Sequence, residues 1–164
     1  MDPVSVAVTV DRPREEVFAY LADIANHAEF CDHFLTDWHL TRLDSYGKGA
    51  GARFRVGAPL NRFSWADMTF VDVEPPYRIV QHGRGGKFNR IRQRGEWRLT
   101  SGAAGTTRVE VTFETAPRLP SDRLMEVLGG RGWFKRKLSR ALSRLRAILE
   151  EDRGQGTRPT VGGR

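Results

Sequence analysis

Hydrophobic and polar positions alternate strictly at the start of the chain. Val4, Val6, Val8 and Val10 interleave with Ser5, Ala7 and Thr9, the period of two expected of a half-buried strand. The period then lengthens to about 3.6, with Val17, Phe18, Leu21 and Ile24 forming one apolar stripe. This spacing predicts a short helix with Asp11 as its N-cap, Pro13 in the first turn and Glu15 and Glu16 at the positive end of its dipole. A second short helix or irregular turn is predicted over about residues 24–34.

From Trp38 to Thr115 the pattern is that of strands. They are predicted at Trp38–Leu43, Ala52–Val56, Phe63–Val73, Tyr77–His82, Arg90–Thr100 and Arg108–Thr115, punctuated by glycine and proline. The last two form a hairpin with legible faces. Ile91, Gln93, Gly95, Trp97 and Leu99 share one parity, and Arg92, Arg94, Glu96 and Arg98 share the other. On the partner strand Val109, Val111 and Phe113 alternate with Arg108, Glu110, Thr112 and Glu114. The apolar set must face inward, since each large side chain buried is worth about 1.5–3 kcal/mol, and the arginines can pair with Glu110 and Glu114 across the outer face. The Phe63–Val73 strand is ambiguous: Met68 and Phe70 share a parity with Ser64, Ala66 and Asp72, whereas Trp65, Val71 and Val73 share theirs with Asp67.

A final helical region begins near Ser121, breaks at Gly129–Gly132 and resumes at Trp133. Leu138, Ala141, Leu142, Leu145, Ile148 and Leu149 lie on one face and arginines and lysines on much of the rest, which predicts an amphipathic helix of about five turns. Residues 153–164 read as a disordered tail. The order of elements predicts an α+β domain over residues 1–152: an antiparallel sheet of about seven strands, covered by the long C-terminal helix, with short helices after strand 1.

Charge refines this picture only locally. Of the formal +7, residues 1–130 contribute nothing (17 basic, 17 acidic) and residues 131–164 contribute all (10 basic, 3 acidic). The basic character therefore belongs to the last helix and tail, and nucleic acid is not an expected partner. The single cysteine, Cys31, excludes an internal disulfide framework. No apolar run reaches the length of a membrane span, and the first residues carry no export signal, so the expected location is the cytoplasm.

VSVAVTVDRPREEVFAYLADIANHAEF at the start, GKGAGARFRV, VDVEPPYRIV and LTSGAAGTTRVEVTFE in the middle, and LSRALSRLRAILEE near the end occur in one order. Together they resemble the START-like, polyketide cyclase/dehydrase superfamily (SRPBCC) over about residues 4–152. The resemblance implies a helix-grip fold, in which a curved antiparallel sheet wraps the C-terminal helix around an elongated cavity for a lipid, polyketide or other hydrophobic ligand. It favours Met68 and Phe70 facing the helix. It transfers no catalytic residues, because the superfamily has no universal catalytic motif.

The wall of such a cavity is expected to include Phe54, Met68, Phe70, Trp97, Val111, Phe113, Leu138 and Leu142, with Gln93 orienting the ligand and Trp133 at the mouth. Arg84, Lys87 and Arg90 would border the entrance and attract an anionic group. Binding of a hydrophobic or amphipathic molecule is the leading expectation. A cyclase, aromatase or dehydratase would instead need titratable groups in the cavity, for which His82, His39 and Asp67 are the candidates. A third possibility is contact of the basic helix with an anionic membrane surface. His27, Cys31, Asp32 and His33 are of the types that ligate zinc, but their spacing matches no standard site, so no metal is expected. No cofactor is expected either: GKGAG lacks the Lys-Ser/Thr that completes a phosphate loop.

Overall fold

In a computed structural model of the protein, residues 1–58, 63–117, 119–125 and 130–151 are described. The predicted tail at 153–164 lies outside them. Strands β1 (Val4–Val10), β2 (Leu35–Leu40), β3 (Gly51–Val56), β4 (Trp65–Glu74), β5 (Arg78–Gly85), β6 (Ile91–Ser101) and β7 (Thr107–Pro117) form one antiparallel sheet in the order β1-β7-β6-β5-β4-β3-β2. Helices α1 (Arg14–Ala22) and α2 (His27–Cys31), with a 3-10 turn at Ile24–Asn26 between them, follow β1. The short α3 (Pro120–Met125) and the long α4 (Arg131–Glu151) follow β7. This is the expected α+β arrangement.

The hairpin β6–β7 behaves as its alternation predicts. Trp97 is opposite Val111 and Leu99 opposite Val109, all four buried. On the outer face Arg94 pairs with Glu114 as expected. Arg98, however, bonds Glu96 of its own strand, which Arg94 also holds. The ambiguity of β4 resolves in favour of Ala66, Met68 and Phe70 pointing inward, with a register shift between Phe70 and Asp72.

Three boundaries differ from expectation. Pro13, not Asp11, is the N-cap of α1, and no side chain caps it; the Asp11 amide is instead held by Glu150 Oε1 at 2.9 Å. The second strand runs over Leu35–Leu40 rather than Trp38–Leu43. Asp37, at φ 50°, makes an irregularity in its pairing that turns Trp38 onto Phe54 (centroids 4.7 Å apart), and Leu43 is left exposed. Helix α4 begins at Arg131 and has 21 residues, about six turns rather than five.

Leu138, Ala141, Leu142 and Leu145 of α4 are buried, and α4 packs on β1 and α2. Polar bonds fix its position along the sheet. Arg12 Nε donates to the Leu149 carbonyl at 2.8 Å, and Arg144 bridges to Asp32 at 2.6 Å and to the Glu29 carbonyl at 3.1 Å. These bonds and the apolar face hold α4 across one end of the sheet.

Candidate functional site

Between sheet and helices lies a cavity of about 460 Å³. Its floor comes from the inward faces of the strands: Phe54, Met68, Gln81, Gln93, Trp97, Val111 and Phe113. Its roof comes from His27 and Cys31 of α2, then Phe34, then Trp133, Phe134 and Leu138 of α4. Phe63, Lys87 and Arg90 also line it, with Phe63 and Lys87 exposed to solvent, and the Lys87 ammonium stands 5.6 Å from the Phe63 ring and 5.3 Å from that of Phe88. Apolar side chains thus make up most of the wall, with a few amides and one imidazole set among them.

The wall differs from expectation at two positions. Phe70 is fully buried beneath the His27 ring, 5.6 Å away, and Leu142 is packed deeper along α4. Neither lines the cavity.

The three acid–base candidates are not brought together in the cavity. Asp67 is on the outer face of β4, where its Oδ1 accepts the Arg84 amide at 3.0 Å. His82 is exposed and lies opposite Thr69 and Arg94. The His39 ring is 5.6 Å from that of Trp65, on the face that also carries Arg53 and Arg55, and its Nδ1 approaches the Asp37 carbonyl at 3.0 Å. Strand parity explains all three: each neighbours a residue that the core claims.

Two polar wall residues, His27 and Gln81, were not anticipated as part of the site. His27 sits on α2 because its helix face also carries Phe30 and Cys31, so the ring is drawn into the core. It is 1% exposed and packs edge-on to Trp97 at 5.4 Å. Its Nε2 lies 2.8 Å from the Leu21 carbonyl. A carbonyl only accepts, so Nε2 carries the proton and Nδ1 keeps a lone pair. Burial outweighs that hydrogen bond and lowers its pKa to about 4, so the ring is neutral near pH 7. Burial likewise pushes the Cys31 thiol up, which makes it a poor nucleophile.

Gln81 is 8% exposed, and its Oε1 accepts the Trp97 indole N–H at 3.3 Å. The sequence signal for it was its shared parity with Ile79, which the adjacent Val80–His82 pair obscured. Among the described residues no group of three His, Cys, Asp or Glu side chains is placed to hold a metal ion. Nor is any helix there long and apolar enough to cross a membrane.

Comparison with the curated proteins returned no match. Among solved structures, DynU16, a protein of the dynemicin biosynthetic locus, is 22% identical with a TM-score of 0.62. The match covers 93% of this chain but 48% of that one, so the chain spans about half its length. A truncated norcoclaurine synthase from Thalictrum flavum is 9% identical (TM-score 0.68, covering 92% and 94%). A START superfamily protein from Mycobacterium smegmatis is 12% identical (TM-score 0.61, covering 91% and 97%). At these identities the likeness is one of fold, the helix-grip arrangement of a curved sheet and long C-terminal helix. The model of one family, described as polyketide cyclase / dehydrase and lipid transport, matches residues 1–150. The chain belongs to that family.

Proposed function

We propose that the protein binds one hydrophobic or amphipathic small molecule, a lipid, polyketide or aromatic compound, in the cavity between sheet and α4. The observation that carries this reading is the cavity itself. Its volume of about 460 Å³ falls within the range of small-molecule sites, and such sites combine an apolar wall with a few polar groups that fix orientation. Val111, Phe113, Phe134 and Leu138 would cover the apolar body of the ligand. Lys87 and Arg90 in the lining would favour a ligand with an anionic or strongly polar end.

Binding is a better account than acid–base turnover. His39, His82 and Asp67 are directed away from the cavity, and His27 is too weakly basic to hold a proton near neutral pH. The test is saturable binding of an apolar fluorescent anion, 1-anilinonaphthalene-8-sulfonate, to the full chain. A one-to-one complex that Val111→Trp weakens, by placing an indole in the cavity, is expected. A folded wild-type protein with no saturable complex would refute the reading. Native mass spectrometry of the purified protein, followed by extraction, would identify any molecule it retains.

A further inference from the structure

The sequence contains the same tripeptide pattern twice, Gln81-His82-Gly83 and Gln93-Arg94-Gly95. The two copies lie on adjacent antiparallel strands, and the register sets Gln81 opposite Gly95 and Gln93 opposite Gly83. Each glutamine therefore faces a residue with no side chain. The fit is close. A Cβ on Gly95 would stand 2.6 Å from Gln81 Nε2 and 2.8 Å from its Cγ, and a Cβ on Gly85 would stand 2.9 Å from Gln93 Nε2. The glycines make room for both amides to lie against the sheet floor of the cavity.

The amides are left with unused hydrogen-bonding capacity. Gln81 Oε1 is engaged by the Trp97 indole, which turns its Nε2 away from that ring, and this side chain is more than nine-tenths buried along the cavity wall. The Gln93 amide, also on the wall, has no hydrogen-bond partner among the described residues. Across from them, the His27 ring stands over Trp97 with its Nδ1 lone pair left as an acceptor. Polar atoms that line a cavity are normally satisfied by water or by a ligand. A saturated acyl chain would satisfy none of them. A ring carrying carbonyl and hydroxyl oxygens would: a carbonyl takes amide N–H groups, and a hydroxyl gives its proton to His27 Nδ1 or Gln93 Oε1.

We infer that the paired Gln-x-Gly segments of β5 and β6, with His27 above them, select an oxygenated planar ring rather than a hydrocarbon chain. This inference rests on the proposed use of the cavity and names the ligand class within it.

The experiment compares naphthalene, 2-naphthol, tetralone and decanoate on the full wild-type chain by calorimetry or competition with the fluorescent anion. The oxygenated rings are expected to bind about tenfold tighter than naphthalene, and tighter than decanoate. Gln81→Leu and Gln93→Leu should each reduce that preference, read within each variant as the ratio of its affinities for 2-naphthol and naphthalene. The wild-type ratio does not depend on either variant folding. Naphthalene or decanoate binding as tightly as 2-naphthol and tetralone would overturn the inference while leaving the cavity a binding site. Saturable binding by none of the four, nor by the fluorescent anion, would remove the cavity reading and this one with it.

Discussion

The buried neutral imidazole of His27 makes the fold sensitive to mild acid. Its ordinary pKa of 6.5 applies to the unfolded chain, and in the fold it is lowered to about 4. Between those values the unfolded state binds more protons, so stability falls as pH falls. The contribution of the neutral ring is fully present above the unfolded pKa and is lost on descending towards the folded one. For shifts of this size, linkage gives a loss of about 2 kcal/mol between about pH 7.5 and pH 5, approaching about 3 kcal/mol below pH 4. The assay is urea unfolding, followed by tryptophan fluorescence, at a series of pH values. His33 also has a lowered pKa, chiefly through desolvation, and contributes with the same sign. The informative quantity is therefore the difference between wild type and His27→Gln, which keeps an N–H donor for the Leu21 carbonyl and has nothing to titrate. Carboxylates such as Glu96, held low by Arg98 and Arg94 against the opposing effect of burial, lose their stabilising effect only in stronger acid. An unchanged slope in His27→Gln across this window would refute the assignment of a buried, neutral His27.

Two further predictions test the packing that shapes the cavity. A Cβ on Gly83 would stand 2.2 Å from the Asp67 carbonyl oxygen, whereas one on Gly132 would meet nothing within 4 Å. Gly83→Ala should therefore destabilise by about 1–3 kcal/mol or more through backbone displacement. Gly132→Ala, early in α4, should stabilise by up to about 1 kcal/mol; equal effects in thermal unfolding would contradict the register of β4 and β5. Leu145 is fully buried on α4, so Leu145→Ala should cost about 2–5 kcal/mol. A loss well below that in urea unfolding would mean that α4 does not close the core as described.

The fold was legible where a periodic pattern had only one solution. Strict alternation settled β6 and β7, and the Leu138–Leu145 stripe settled the buried face of α4. Elsewhere parity identified a face only when one set of residues was clearly worse inside. The Phe63–Val73 segment mixes apolar and polar residues on both parities, and its register shift at Phe70/Asp72 follows from neighbours in space. Asp37 at φ 50° likewise redirects Trp38 and Leu40 inward in a way that local composition does not announce.

The cavity was less legible for a different reason: parity gives a side of the sheet, not a depth. Phe70 and Trp97 both face inward and both pack on the His27 ring, at 5.6 and 5.4 Å, yet only Trp97 meets the cavity. What covers a residue depends on another element's placement, which no single segment encodes. The same holds for the polar groups of the wall. Taken separately, Gln81-His82-Gly83 and Gln93-Arg94-Gly95 each put a polar residue and a gap on an inward face, which looks like poor strand sequence. In antiparallel register the Gln81 amide lies against Gly95 and the Gln93 amide against Gly85, and two local defects become one matched surface. The chemistry of the site thus resides in the pairing of β5 with β6, so a one-residue slip between them would abolish it while leaving the composition of both strands unchanged.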